Sequence, residues 1–192
     1  MSRLIPRLEM EQLTPALAAA LNSKVKRLGY LGEFFQCMGN QPEALLSFNT
    51  LTEDLKKALP DRLTEVVALT VAGVMRNDYE RNQHERLCIN LGFDKNWVRD
   101  VNARTPRKST SLSEEERLVQ KFTLAVVASF GRQAQDEFEA VVQALGAKYA
   151  VALLLLVGRY MMHALIVNTL TLTPPVTSIF EDNDNDPTPL AD

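Results

Sequence analysis

The side chains in this sequence best suited to moving protons lie close together: Glu65, then Asn77-Asp78-Tyr79-Glu80, then His84 and Cys88. Asn77 and Asp78 are residue types that accept hydrogen bonds at a helix start, and Glu80 lies where the third helical residue would be. That is an Asn/Asp version of the capping box, in which the Glu80 carboxylate reaches back to the first backbone N–H. His84 comes one turn after Glu80, and Cys88 one turn after His84, all on one helix face. A carboxylate and an imidazole over a helix start, met by Glu65 from the preceding helix, form a proton-handling site. Two readings of Glu80 stand together, helix cap and site residue. Glu65 reads either as a surface glutamate of a first turn or as the buried partner of His84. Tyr79 either lines the pocket, with a phenolic hydrogen bond to offer, or packs in the core.

A second group, Arg159, Tyr160, His163 and Asn168, sits in the most apolar stretch, residues 149–170. A buried guanidinium has to be paired, and Glu65 or Glu80 is a candidate partner. That pairing would make Arg159 an anchor for an anionic substrate. Snorkelling at the surface, or pairing at a subunit interface, is the favoured reading of Arg159, and His163 reads as structural. Glu80 and His84 have i, i+4 spacing with Glu65 as a third possible ligand. One histidine with carboxylates is nonetheless a poor zinc set, and no His-x-x-x-His or cysteine pair accompanies it. No metal is expected. The sequence contains no Gly-rich phosphate loop, nucleophile elbow or EF-hand loop.

These residues need helices to position them, and nearly every boundary signal is a helix signal. Thr14-Pro15 is an N-cap followed by proline at the first helical position, which opens a helix towards Arg27. Short helices follow over 30–38 and from Pro42 through Leu55, then 62–75 and 79–90, the last closed by Gly92. Asp94 caps a short turn carrying Trp97 and Val98, and 103–112 is a basic, Ser/Thr-rich loop. Ser113 with Glu116 forms a capping box for a helix over 114–130. Residues 133–145 and 148–170 read as two helices separated at Gly146. A faint echo links Arg62-Leu-Thr-Glu65 with Arg117-Leu-Val-Gln120, a duplicated hairpin or chance. No segment is a convincing strand, so the fold class is all-α.

At 192 residues with 46% hydrophobic and 23% charged side chains, the chain suits one domain with a sizeable core. The formal charge of −3 conceals an uneven distribution, because residues 181–192 hold five acids and no base. The remainder is nearly neutral and carries no basic stripe with interleaved aromatics, which excludes nucleic acid on electrostatic grounds. Domain boundaries are expected at 1–175 for a helical domain and 176–192 for an acidic, disordered tail. Cys37 and Cys88 are far apart and read as small buried hydrophobes, a pattern suited to a reducing compartment. The first residues have no apolar signal core, and Arg159 and His163 interrupt the apolar stretch well short of a membrane span. A soluble, cytoplasmic protein is expected, with no membrane partner.

The run Arg62-Leu-Thr-Glu65 … Ala72 … Asn77-Asp-Tyr-Glu80-Arg-Asn-Gln-His84 … Gly92-Phe93 resembles the core signature of the carboxymuconolactone decarboxylase and alkylhydroperoxidase D-like (AhpD-like) family. The resemblance implies an orthogonal helical bundle. In peroxidase members the signature reads Glu, a Cys-x-x-Cys pair opening a helix, then His. The Glu falls on Glu65 and the His on His84, but the two cysteines fall on Asn77 and Glu80. A thiol at a helix start is activated by the dipole and attacks peroxide, and its partner resolves the sulfenic acid. Asn77 and Glu80 cannot form that couple. What remains implied is cofactor-free, decarboxylase- or isomerase-type proton transfer on a small carboxylated substrate. In that picture His84 shuttles the proton, Glu65 relays it, Glu80 joins them, and Tyr79 or Arg159 holds the substrate. Two alternatives are antioxidant activity through the lone Cys88 and a non-catalytic binding protein. Homo-oligomers, as dimer, trimer or hexamer, are implied by the family, and the apolar 149–167 stretch agrees.

Overall fold

One helix is buried on every side, and the others are arranged around it. The computed structural model describes residues 4–181, and among them the regular elements are all helical. After a short 3₁₀ turn at Met10–Gln12 come α1 (Pro15–Leu28), α2 (Glu33–Met38), α3 (Pro42–Ala58) and α4 (Asp61–Val74). These are followed by α5 (Asp78–Asn90), α6 (Lys95–Ala103), α7 (Glu114–Ser129) and α8 (Gln135–Leu170). Helix α4 is the central one. Every residue from Leu63 to Ala72 is buried, because α5, α6, α7 and α8 all pack on it. Its sequence explains this: only Thr64, Glu65 and Thr70 interrupt an otherwise apolar run, so no face of the helix suits water.

The cap signals are realised at Thr14, whose side chain accepts from the Leu17 N–H, and at Ser113, which forms a complete box with Glu116. Asp94 caps α6 through the Asn96 N–H. The expected break at Gly146 is present: its φ of 83° and ψ of 159° are not helical, so α8 is two helices that meet at a kink. Glycine is what permits that geometry. By length and composition α8 could cross a membrane, yet 56% of its most apolar window is buried inside the protein, as in a core helix.

The described residues continue past the boundary expected at 175. Residues 176–181 dock on α5: Asn82 Nδ2 donates to the Val176 carbonyl at 2.9 Å, and Arg86 Nε to the Thr177 carbonyl at 3.0 Å. Ser178 and Ile179 both donate to Glu85. The acidic run expected to be disordered, from residue 182 onward, lies outside the described residues.

Candidate functional site

The turn between α4 and α5 sets the site. Arg76 adopts a left-handed conformation, with φ of 52°, and the Asn77 N–H then donates to the Ala72 carbonyl at 2.8 Å. Asn77 caps α5, its side chain accepting from the Glu80 N–H at 3.2 Å. The capping box expected here is therefore only half formed, because the Asn77 N–H is already satisfied by α4. The Glu80 carboxylate is released from capping and turns inward.

There it meets α8. Arg159 Nη1 donates to Glu80 Oε1 at 3.1 Å, and His163 Nδ1 lies 2.7 Å from Glu80 Oε2. His84 Nε2 lies 3.3 Å from Oε1. His84 Nδ1 donates to Glu65 Oε2 on α4 at 2.5 Å, and the Tyr160 hydroxyl lies 3.5 Å from Nε2. Glu65, Glu80, His84, Arg159 and His163 are all at least 93% buried. The structure thus brings the three expected catalytic residues into one cluster and adds Arg159 to it.

This corrects the favoured reading of Arg159, which neither snorkels nor sits free at a surface. Its guanidinium lies between the rings of Phe48 and Tyr160, 4.8 and 4.3 Å from their centroids, and Nε donates to Thr52 Oγ1 at 3.0 Å. Stacking and pairing together are what make a buried arginine tolerable. Glu65 is not a surface residue of a first turn but fully interior. His163, read as structural, shares the Glu80 carboxylate with His84. Its sequence signal was the i, i+4 pair Arg159 and His163 on an otherwise apolar helix, matching Glu80 and His84 on α5. Tyr160 and Thr52 carried no such signal.

Burial and charge set the protonation states. Burial alone would lower His84, but the Glu65 charge and hydrogen bond, joined by Glu80, outweigh it and raise the imidazole above its ordinary value. Burial lowers His163 by more than Glu80 restores, so this ring stays below the usual range. For Glu80, burial pushes upward, but His163, Arg159 and His84 outweigh it and hold the carboxyl well below the carboxylate range. The geometry matches these directions: His84 lies between two carboxylates, whereas His163 meets only Glu80, which it shares with Arg159 and His84.

Glu80, His84, Arg159 and His163 line a cavity of about 260 Å³ between α1, α2, α3, α5 and α8. Lys24, Arg27, Lys56 and Arg86 are also in its walls, so basic groups far outnumber acids around it. A neighbouring cavity of about 330 Å³ has Glu65 in its wall and shares Lys24, Arg27 and Lys56 with the first. Tyr79 lines the main cavity while its hydroxyl oxygen accepts from the Phe34 N–H at 3.2 Å. That contact needs Gly32, where a Cβ would come within 2.8 Å of the same oxygen.

Cys88 is fully buried, with its thiol 3.7 Å from Glu65 Oε2. Burial first, and the adjacent carboxylate second, push its pKa far above the thiol range, so a thiolate is not available. Cys37 is buried in the separate apolar cluster of α1, α2 and α3. Among the described residues, no group of three or more His, Cys, Asp or Glu is arranged to hold a metal ion.

No protein-family model matches this sequence, and no curated protein matches it either. Its fold has solved counterparts. A Cys-to-Ala variant of the debrominase Bmp8, in complex with 2,3,4-tribromopyrrole, superposes with a TM-score of 0.78 at 16% identity, covering 91% of this chain and 92% of that one. The alkylhydroperoxidase AhpD core of an uncharacterised peroxidase-related protein from Ralstonia eutropha JMP134 gives 0.77 at 14% identity, covering 88% and 90%. A protein of unknown function from Agrobacterium tumefaciens, described with AhpD as an antioxidant defence protein, gives 0.65 at 17% identity, covering 73% and 96%. The chain has the AhpD-like fold.

Proposed function

We propose that this protein belongs to the thiol-free branch of the AhpD-like family and catalyses cofactor-free proton transfer, of decarboxylase or isomerase type, on a small carboxylated substrate. The observation that carries this is the buried Glu65–His84 pair, whose His84 lines a cavity together with Glu80, at a helix start that has Asn77 and Glu80 where redox relatives would offer thiols. The basic walls formed by Lys24, Arg27, Lys56 and Arg86 favour an anion inside.

The chemistry follows from the geometry. In decarboxylation the bond to the carboxylate carbon breaks, CO₂ leaves, and the electron pair remains on the substrate as an enolate. His84, held as an imidazolium by Glu65, supplies the proton that quenches it. Of its two N–H bonds, the one to Glu80 is the longer at 3.3 Å, so that proton is the more readily given. The Nδ1–H stays on Glu65, which holds the ring, and the proton given from Nε2 is regained there from water in the main cavity that His84 lines. The inert Cys88 argues against the alternative of a lone-thiol peroxidase.

The same reading extends to assembly and location. The outward face of α8 exposes Val151, Leu154, Leu155, Met162 and Leu165, a contiguous stripe that supports a homo-oligomer. Two buried cysteines that form no disulfide suit the reducing cytoplasm.

The test is a panel of small γ-lactone carboxylates, followed for CO₂ release or double-bond migration, with wild type, His84→Ala and Cys88→Ser. The proposal expects turnover that falls about 10²-fold or more in His84→Ala and persists in Cys88→Ser. Hydroperoxide consumption abolished by Cys88→Ser would overturn it.

A further inference from the structure

The two imidazoles that share Glu80 are not equivalent, and the difference assigns them opposite tasks. Both ring nitrogens of His84 are engaged, Nδ1 by Glu65 and Nε2 by Glu80 with Tyr160 alongside. His163 is engaged on one side only. Its Nδ1 lies 2.7 Å from Glu80 Oε2 and 3.4 Å from Asn77 Nδ2. No hydrogen bond to its Nε2 occurs among the described residues. The buried side-chain polar atoms without a partner are on Thr64, Asn102 and Gln120, so Nε2 of His163 is not enclosed by protein. It opens to the main cavity, which this ring helps to line. Phe34 covers one face of the ring, with centroids 4.2 Å apart, and Tyr79 approaches at 6.1 Å, which fixes the ring's direction.

We propose that Nε2 of His163 is the proton acceptor of this site, with Glu80 as the carboxylate that orients it. The assignment rests on the proton-transfer reading above and supplies the base that reading lacks. Glu80 accepts the Nδ1–H, which fixes the tautomer with its lone pair on Nε2. Arg159 and His84, the basic groups nearest this carboxylate, disfavour a positive charge on the ring, as does its burial. The step is a proton abstraction. A C–H bond next to the substrate carbonyl breaks, its proton forms the Nε2–H bond, and the electron pair stays on the substrate as an enolate. His84 Nε2–H then protonates a different carbon. His163 passes its proton to water in the cavity and His84 Nε2 regains one from it, so an isomerisation closes without any other reactant.

Diethyl pyrocarbonate tests this on the unmodified protein, because among imidazole nitrogens it acylates only unprotonated ones, N-carbethoxyhistidine is read apart from acylated amines, and the chain has just two histidines. At pH 7 peptide mapping should place a single acyl group on His163, with His84 reacting only after denaturation. The folded His163→Gln variant should form no N-carbethoxyhistidine. On any lactone carboxylate turned over, His163→Gln should lower kcat about 10²-fold or more. Acylation at His84 in preference to His163, resistance of both rings, or an unchanged kcat in His163→Gln would overturn the assignment. Acylation at His163 with no lactone turned over counts against the lyase reading and leaves the base standing. Turnover with an unreactive His163 counts against the base alone.

Discussion

Helix α5 carries two buried carboxylates five residues apart, Glu80 and Glu85, and they do opposite work. Glu85 accepts from Asn102 Nδ2 at 2.7 Å, Ser178 Oγ at 2.6 Å and the Ile179 N–H at 3.2 Å, with Arg81 Nε at 3.6 Å. Amide, hydroxyl, backbone and guanidinium donors all keep their protons near neutral pH. Glu85 is a clasp that holds α6 and residues 178–179 on α5, and it borders none of the cavities described above. Glu80 is bonded to two imidazoles and one guanidinium, and it faces a cavity. A buried carboxylate among fixed donors is structure; one among imidazoles can direct protons. The partners decide the role.

The sharpest way to break the comparison is to remove each carboxylate in turn. Glu80→Ala leaves the Arg159 charge buried and unpaired, so it should cost about 3–5 kcal/mol of stability by urea unfolding. Replacing Arg159 by Met in the same chain should recover much of that. If Glu80→Ala unfolded no more readily than wild type, the pairing described here would be wrong. Glu85→Ala orphans neutral donors instead, with an expected cost of about 2–3 kcal/mol. His163 should remain as reactive to diethyl pyrocarbonate in that variant as in wild type. A loss of reactivity there would mean that the two carboxylates are coupled.

The pH dependence of stability distinguishes the imidazoles. His84 has its folded pKa raised above 6.5, so its contribution is complete below 6.5 and lost as pH rises through the folded value. His163 has its folded pKa lowered, so its contribution is present above 6.5 and lost as pH falls through the folded value. Glu80, also depressed, adds to the acid limb at lower pH. Urea midpoints should therefore fall on both sides of neutrality, and His84→Gln should flatten the alkaline limb only. Flattening of the acid limb by that variant would reverse the two assignments. The smallest effect is expected at the turn that feeds α5. Arg76→Gly relieves a left-handed non-glycine residue and should raise stability by up to about 1 kcal/mol, read from the thermal midpoint.

Much of this was legible in the sequence because it is local. The caps at Thr14, Asp94 and Ser113 need only a few adjacent residues, and the apolar runs name their own helices. The Glu65–His84 pair was also readable, through the family resemblance. What the sequence could not supply was the approach of α8 to α5. Whether Glu80 caps its own helix depends on whether the Asn77 N–H is free, and that depends on the Arg76 turn. Whether Arg159 is a surface anchor or an interior partner depends on which side of α8 packs inward. His163 was visible as a residue, but its role follows from a carboxylate 83 positions away in the chain.

The central claim is that the site holds one charged and one neutral imidazole at the same pH. Long-range ¹⁵N–¹H spectra of ¹⁵N-histidine-labelled protein at pH 7 measure this directly, with His163→Gln used for assignment. The account predicts one ring protonated on both nitrogens, His84, and one neutral ring with its proton on Nδ1 and a bare Nε2, His163. Two rings in the same protonation state, or a neutral His84 beside a charged His163, would contradict it.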